Sequence, residues 1–382
     1  MKIFGFNLTR EVTTQKEKPS TSQEMIHFNR PTEWGLEWKY DYSKPYVNTR
    51  ANTQFIPFGV DNAYPTILLE MYYSSPFHSA IVDFKNNSIL ASGWEIVTLD
   101  KTVEGSIKKE KALTNLTTDW LWKFTLEYLI HNRICLEVIK EGGRVKKLNI
   151  IGAEWVRESS DGTGYWICED WIRRRNEAKF IPKWNKTGNS LVEMLVFQRL
   201  GPGQRIYSLP QYATASNWIW LDGQVAFFQK QNIENSINPS AIIQFYEPIA
   251  NQKEKEEFIH QLNRSFTSAK NAGKILTFFS KSKETAPDVT ISESNKLDKS
   301  FAATQENIVK NVAYAHMINP AILGISTAGQ LGATQQLIDA YSIFNSTWLI
   351  PTQKMIEGYL TEAIGLLGVN GQFVINKNNK LL

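Results

Sequence analysis

The sequence predicts an α+β fold in which long amphipathic helices lie on either side of a block of short strands. Between residues 133 and 199, β-rich runs are separated by turn signals such as Gly142-Gly143. Before and after that block, apolar residues recur at the three- and four-residue spacing that is typical of helices packed by one face. A third observation is that residues 13–24 include no apolar residue. Helices, strands and one segment without its own core are therefore expected in a chain of 382 residues.

Residues 1–60 are predicted to form an extended N-terminal arm rather than a domain. The polar stretch 13–24 has no apolar side chains with which to build a core. Residues 28–58 carry aromatic side chains among Pro, Asn and Gly without a sustained period. That composition favours a segment laid along another surface, and we expect that surface to belong to a neighbouring subunit.

Three helices and one strand are predicted between residues 61 and 130. Polar residues at 61 and 62 followed by Pro65 indicate the start of the first helix, and Ser75-Pro76 indicates the start of the second, which ends before Gly93. The predicted helices cover residues 66–73, 77–92 and 115–130, and the predicted strand covers 94–99.

The block between residues 133 and 199 is predicted to contain strands at 134–139, 165–168 and 191–198. Glu177 is the only acidic residue in a basic stretch of this block. Its basic residues are Arg173, Arg174, Arg175, Lys179, Lys183 and Lys186. Two interpretations stay open, a solvated loop and a patch that faces phosphate groups.

The second half of the chain returns to helical spacing. Asn319-Pro320 is expected to stop one helix, and Pro351 is expected to interrupt another. The predicted helices cover residues 208–235, 253–266, 301–316 and 333–367, the predicted strands cover 241–245, 274–279 and 289–291, and the tail from 368 is expected to be short and polar.

The sequence carries no recognised catalytic, cofactor or metal motif. It lacks the phosphate-binding loop of nucleotide motors, the paired histidines of zinc proteases and the nucleophile elbow of hydrolases. Its five histidines are scattered, and each is interpreted as packing or surface. The prediction is therefore a non-enzymatic protein with no catalytic residues, no metal site and no cofactor.

Composition excludes further classes. No run approaches the ~20 apolar residues that a membrane-spanning helix needs, and no secretion signal precedes Thr9. The two cysteines fit a reducing cytoplasm. A net charge of +4 is too small to identify a nucleic-acid partner. The 12 tryptophans suit either core packing or an interface between subunits.

Several segments resemble, in order, the phage portal protein family of long-tailed phages. Ser74-Ser75-Pro76 through Gly93-Trp94 resembles the N-terminal helices of the family and the strand that follows them. The segment from Tyr207 to Pro210 is similar to the signature that opens a stem helix. The segment 315–324 is similar to the family pattern Ala-x-x-x-x-x-Pro-Pro-x-Leu-Gly, from which it departs at Ala321. The resemblance covers residues 74–96 and 207–365.

The resemblance implies a ring-forming subunit, usually one of twelve, at a capsid vertex. It implies a portal fold with a β-rich wing, long stem helices, a small α/β clip and a tunnel loop. The implied boundaries are an N-terminal arm at 1–60, a wing at 61–206, stem helices at 207–235 and 299–324, a clip at 236–298, a tunnel loop at 325–333, and a helix returning to the wing with a reduced crown at 334–382.

The resemblance also implies two sites. The tunnel loop would surround DNA without sequence preference, through Ile325, Ser326, Thr327, Ala328, Gly329, Gln330, Leu331 and Gly332. Four basic residues of the clip, Arg264, Lys270, Lys274 and Lys281, suit either a docking surface for a motor or adaptor or an ordinary solvated surface.

The partners implied are further copies of the chain, double-stranded DNA, the terminase large subunit, the major capsid or scaffolding protein and a head-completion adaptor, with no membrane. The implied location is the virion, after assembly in the host cytoplasm. Two alternatives are a DNA-binding enzyme or nuclease subunit with an unrecognised site and another structural protein of the capsid vertex.

Overall fold

The computed structural model describes residues 54–59, 61–235, 241–245, 275–279, 294–325 and 334–376, together with 2–3, 6–7, 253 and 256–257. Residues 1–41 form one compact unit, in which strands β1 (Lys2–Ile3) and β2 (Phe6–Asn7) pair antiparallel. Residues 42–382 form the second unit, which contains the elements that follow. Most of the predicted arm lies outside the described residues.

The second unit contains helices and strands in alternating blocks. The helices are α1 (Tyr64–Ser74), α2 (Pro76–Leu90), α3 (Val103–Asn115), α4 (Thr118–His131), α5 (Ser216–Asn235), α6 (Ser294–Ala315), α7 (Thr334–Phe344) and α8 (Ile350–Leu366). The strands are β3 (Trp94–Thr98), β4 (Arg133–Glu141), β5 (Arg144–Ile151), β6 (Val156–Glu158), β7 (Gly164–Ile167), β8 (Lys179–Pro182), β9 (Val192–Gln198), β10 (Ala241–Phe245), β11 (Ile275–Phe279) and β12 (Gly371–Ile375). No helix in the described ranges is both long enough and apolar enough to cross a membrane.

The strands of the central block form two three-stranded antiparallel sheets, in the orders β5-β4-β9 and β6-β7-β8. β4 is the central strand of the first sheet. Its first four residues are all buried, as expected for a strand that is covered on both faces. Cys135 on β4, Val156 on β6 and Met194 on β9 belong to one apolar core between these strands. β10 and β11 pair in parallel, and β12 pairs antiparallel with β3.

The predicted start of the second helix at Ser75-Pro76 is confirmed. The Ser75 hydroxyl accepts a hydrogen bond from the His78 main-chain N–H at 3.2 Å, and Pro76 occupies the first turn of α2. Ser75 also donates to a carboxylate oxygen of Asp222 on α5 at 2.6 Å, so the start of α2 is fixed to α5. Thr117 caps α4 in the same way, by accepting from the Trp120 N–H.

Residues 54–59 pack against the second sheet and the segment before α5. The Ile56 main-chain N–H donates to the Glu158 carbonyl oxygen at 2.8 Å, which extends the edge of β6. The Phe58 ring stacks on the Tyr207 ring with centroids 4.3 Å apart. The Tyr207 hydroxyl donates to the Ile56 carbonyl oxygen and accepts from the Glu158 N–H. The last part of the predicted arm is therefore bonded to this unit.

A π turn at Asn345–Leu349 joins α7 to α8. Pro351 follows it in the first turn of α8 and has no N–H to donate to the preceding turn. The Thr347 hydroxyl donates to the Ile343 carbonyl oxygen at 2.6 Å. The predicted interruption of this helix therefore takes the form of one widened turn before the proline, and the helix continues beyond it.

Several elements were not predicted, among them β5, β6 and β8 of the central block and, outside it, α3 and β12. α3 buries only Gly105 and Ala112, so it has no apolar stripe that periodicity could detect. The tail prediction was wrong for residues 371–375, which form β12. Phe373 is 1 % exposed and stacks on Trp94, with ring centroids 5.2 Å apart. The tail is polar in composition, but Phe373 and Ile375 alternate along β12, and both are buried.

Gly324 is a residue whose backbone conformation requires glycine. Its φ is +78°, and a Cβ added there would meet no atom within 4 Å, so only the left-handed conformation penalises substitution. Gly324→Ala is expected to destabilise the fold by about 1–2 kcal/mol. Gly358, in the exposed middle of α8, also has open space around it, and Gly358→Ala is expected to stabilise the fold by about 0.5–1 kcal/mol. Thermal unfolding is expected to show a lower melting temperature for Gly324→Ala and a higher one for Gly358→Ala. Equal shifts in the two variants would contradict the conformational argument.

Candidate functional site

The residues predicted to form the tunnel loop lie almost entirely outside the described residues. Ile325 is described and half-buried, and its main-chain N–H donates to the Pro320 carbonyl oxygen at 3.3 Å. The remaining seven, residues 326–332, lie outside the described ranges, as do Arg264, Lys270, Lys274 and Lys281. Both assignments stay predictions. The structure describes the segment that precedes residues 326–333 and the segment that follows them.

The segment before residue 326 is a compact stop. α6 ends at Ala315, the Asn319 side chain accepts from the Ala321 N–H at 3.0 Å, and a 3₁₀ helix covers Pro320–Leu323. The predicted stop at Asn319-Pro320 is confirmed, because Asn319 caps the short helix rather than continuing α6. After residue 333 the chain re-enters helical structure at Thr334, the first residue of α7.

A buried polar junction holds the end of α6. The His316 side chain follows α6 directly and is 3 % exposed. Its Nε2 lies 2.9 Å from Nδ1 of His78 on α2. The Lys85 ammonium, also on α2, donates to the His316 carbonyl oxygen at 2.6 Å. The Tyr212 ring stacks on the His316 imidazole, with centroids 5.2 Å apart. The end of α6 is therefore tied to α2 by two hydrogen bonds.

The π turn, which follows residues 326–333 in the sequence, also contacts this junction. The Lys85 ammonium lies 4.0 Å from the centre of the Trp348 ring, a cation–π contact in a buried site. The Trp348 indole N–H donates to the Gln211 side-chain oxygen at 2.9 Å. Lys85 thus contacts both the segment before residue 326 and the helix after residue 333.

Burial sets the protonation states in the junction. Burial, followed by the nearby Lys85 charge, lowers the pKa of His78 to about 3 and holds that of His316 well below its usual value. Burial lowers the pKa of Lys85 to about 7. Both imidazoles are therefore neutral at neutral pH, and one donates its N–H to the other.

Acidification is expected to destabilise this junction. The folded state holds both imidazoles neutral, whereas in the unfolded chain they become protonated below pH ~6.5. Their contribution to the free energy of unfolding is therefore complete above that pH and is lost as pH falls toward 3. At pH 5 each buried histidine is expected to cost up to about 2 kcal/mol. His316→Gln, which cannot be protonated, should therefore lose less melting temperature than wild type between pH 7.5 and pH 5. Equal losses would contradict the assignment.

A cavity of about 300 Å³ lies beside the junction. Lys85, His316 and Trp348 line one part of it, and Asn132 and Arg199 line another. Of the hydroxyl groups on its lining residues, those of Tyr212 and Thr347 donate to main-chain carbonyl oxygens rather than to a base. Among the described residues, its lining offers no recognised catalytic arrangement.

The basic stretch in the second sheet is exposed to solvent. Arg175 lies in a 3₁₀ helix that covers Arg175–Glu177, and Lys179 begins β8. All six basic side chains between residues 173 and 186 are exposed. Exposure fits both a solvated loop and a phosphate-facing patch, so the two interpretations stay open.

One group of described side chains has the composition of a metal site. Glu127, His131 and Glu154 bring one imidazole nitrogen and two carboxylate oxygens within 4.8 Å of one another. Burial and the neighbouring Glu154 carboxylate raise the pKa of Glu127 to about 8. The sequence analysis did not bring these three residues together. Glu127 stands four residues before His131, a visible signal for one helical face, whereas Glu154 joins them only through the fold.

Comparisons with known proteins point to one family. The family model described as "Phage portal protein" matches residues 111–382 of the chain. A curated protein of Escherichia phage P2, the "Probable portal protein", is 23% identical over 255 residues, which are 63% of this chain and 67% of that protein.

Solved structures of low sequence identity share the fold. A chain from the neck of an empty GTA particle, computed with C6 symmetry, matches with a TM-score of 0.57 and 14% identity, over 83% of this chain and 85% of that one. A chain from the neck of the native GTA particle, computed with C12 symmetry, matches with a TM-score of 0.56 and 14% identity, over 82% and 84%.

Proposed function

The chain belongs to the phage portal protein family, and from that premise we propose that it forms the ring at one capsid vertex through which double-stranded DNA enters and leaves the particle. The observation that carries the proposal is the family match over residues 111–382. The likeness of the fold to a neck chain computed with C12 symmetry supports a ring of twelve copies. As a portal protein the chain is located in the virion capsid, and we propose that it assembles there from the host cytoplasm.

Large apolar side chains on the surface support assembly between copies. The subunit exposes Tyr314 (68 %) and Met317 (53 %) at the end of α6, and Ile343 (63 %) at the end of α7. It also exposes Val103 (79 %) on α3. Exposed apolar groups of this size are typical of surfaces that other molecules cover. In the proposed ring, neighbouring copies cover them.

In the proposed ring, residues 325–332 line the narrowest part of the channel. Ser326, Thr327 and Gln330 offer polar side chains that contact phosphates without reading bases. The glycines at 329 and 332 allow sharp bends close to the axis. The junction of His78, Lys85 and His316 would then hold the base of this loop, since it ties the preceding and following segments to α2.

The proposed partners follow from the same premise. The terminase large subunit supplies the motor and docks, with the later head-completion adaptor, on the clip (residues 236–298) through Arg264, Lys270, Lys274 and Lys281. The wing contacts the major capsid or scaffolding protein. The portal family is structural, so we propose that the chain itself catalyses no reaction.

Imaging and a cleavage assay test the proposal together. Negative-stain images of the purified full chain are expected to show closed rings with a central hole. Incubation with double-stranded DNA, ATP and Mg²⁺ or Mn²⁺ is expected to yield neither cleavage nor nucleotide hydrolysis. Monomers without rings would contradict the portal assignment. DNA cleavage that a point substitution in this chain abolishes would favour the nuclease alternative.

A further inference from the structure

The group formed by Glu127, His131 and Glu154 lies between α4 and the first sheet. Glu127 and His131 are four residues apart on the last turns of α4 and share one face. Glu154 belongs to a 3₁₀ helix, Ala153–Trp155, that follows β5. A carboxylate oxygen of Glu127 accepts the Ala153 main-chain N–H at 3.2 Å, so the two elements are held together at this point.

Gly152 allows the Glu154 side chain to reach the group. A Cβ added at Gly152 would overlap the Glu154 carboxylate, which folds back over this residue. Any larger residue at 152 would therefore displace that carboxylate. The two glutamates are 14 % exposed at their side chains, which leaves a narrow edge open to water.

His131 has no hydrogen-bond partner among the described residues. It is 3 % exposed, and neither ring nitrogen is bonded. Its Nε2 lies 3.9 Å from the Glu127 carboxylate oxygen and 3.7 Å from that of Glu154, too far for hydrogen bonds. A buried polar group left unpaired costs about 1–3 kcal/mol, and two carboxylates this close repel each other. A cation between the three side chains would remove both penalties.

We propose that Glu127, His131 and Glu154 bind one divalent transition-metal ion, with Zn²⁺ as the best-matched cation. Zn²⁺ accepts imidazole nitrogen and carboxylate oxygen at about 2.0–2.2 Å, and three protein ligands with one water are a common set. In a tetrahedral site the ligand atoms lie roughly 3.4 Å apart. The two distances to His131 Nε2, 3.9 and 3.7 Å, would shorten by a few tenths of an ångström, and the three ligand atoms already lie within 4.8 Å of one another. Mg²⁺ and Ca²⁺ suit the site less, because they favour six or more oxygen ligands.

Neighbouring cations moderate the affinity but do not occupy the site. Each carboxylate has an oxygen within 4 Å of the His131 imidazole, which is itself a proposed ligand. The Arg157 guanidinium donates instead to the side-chain and main-chain oxygens of Asn62 and to the carbonyl oxygens of Glu154 and Val156. Its charge, like that of Lys123, acts through space and weakens the attraction for a second cation. The bound ion would link α4 to the end of β5, which lie on one continuous stretch of chain.

The test measures metal on the full chain after treatment with a chelator. Inductively coupled plasma mass spectrometry after loading with Zn²⁺ at pH 7.5 and buffer exchange is expected to find about one ion per subunit. Glu127→Gln and Glu154→Gln are each expected to raise the Kd for Zn²⁺ at least about ten-fold. Glu110→Gln removes an exposed carboxylate on α3 and serves as the matched control, with unchanged Kd.

Two further measurements decide the case if a variant fails to fold. Zn²⁺ is expected to raise the melting temperature of the wild type more than Mg²⁺ at the same concentration. Co²⁺ loaded in its place is expected to show the visible absorption of a nitrogen- and oxygen-ligated ion without a thiolate charge-transfer band, which separates this site from binding at Cys135. Far less than one ion per wild-type subunit, a thiolate band, or unchanged Kd in folded Glu127 and Glu154 variants would overturn the proposal.

Discussion

Particles assembled with Gly329→Trp in this chain are expected to contain several-fold less packaged DNA than wild-type particles, while the rings form normally. In a twelve-fold ring one substitution places twelve indoles around the axis, so a local change becomes a large change in the width of the channel. α6 and α7, which flank residues 326–333, are held by contacts that do not involve residue 329. The measurement is packaged DNA per particle, set against ring assembly seen by electron microscopy.

Gln330→Glu tests the same position through charge. In the proposed ring it adds one negative charge per subunit next to a DNA polyanion, and confinement in the proposed channel would strengthen the repulsion. Packaging or retention of the genome is expected to fall, whereas Gln330→Asn, which keeps the amide, serves as the control and should package normally. Wild-type DNA content in both Gly329→Trp and Gln330→Glu would mean that these residues do not line the channel.

Replacing Arg157 with alanine is expected to cost about 3–5 kcal/mol of folding free energy. The Arg157 side chain is fully buried and stacks over the Trp171 ring, 5.0 Å from its centre. It donates to the Asn62 carbonyl oxygen at 2.6 Å and to the Glu154 carbonyl oxygen at 3.0 Å. The alanine variant leaves these acceptors buried without a donor and opens a cavity. It therefore detaches the start of α1 from β6.

Thermal unfolding checks this prediction, with a fall of roughly 5–15 °C expected for Arg157→Ala. Arg174→Ala is the matched control, because Arg174 is exposed and lies in the same part of the chain. Its effect should stay within about 0.5 kcal/mol. A melting temperature for Arg157→Ala within 2 °C of the control, as an order-of-magnitude limit, would show that other donors replace the guanidinium.

Local signals predicted much of this fold. Ser75-Pro76 and Asn319-Pro320 act on their own neighbouring residues, so their structural effects are visible in a short window of sequence. β4 and β9 were predicted because their apolar runs are bounded by turn residues. The helix predicted from residue 208 begins only at Ser216 as α5, because residues 211–215 form a 3₁₀ helix first.

The remaining features depend on contacts between distant residues. His78 and His316 are separated by 238 positions, and nothing near either residue indicates a partner. Lys85 and Arg157 carry charged side chains that sequence patterns assign to the surface. Both are buried because main-chain carbonyl oxygens accept hydrogen bonds from them. The same limit applies to the candidate metal group, where the position of Glu154 depends on the turn after β5.

The pairing of β3 with β12 has a consequence for the order in which this protein folds during synthesis. Residues 94–98 leave the ribosome long before residues 371–375, and at ~5–20 residues per second the delay is on the order of tens of seconds. Until then β3 lacks the strand that satisfies its main-chain hydrogen bonds, and Trp94 lacks the Phe373 ring against which it stacks. A nascent subunit therefore keeps an unfinished edge while its central sheets are already complete. A subunit that lacks residues 371–375 would keep β3 unpaired and would leave Trp94 without the ring of Phe373.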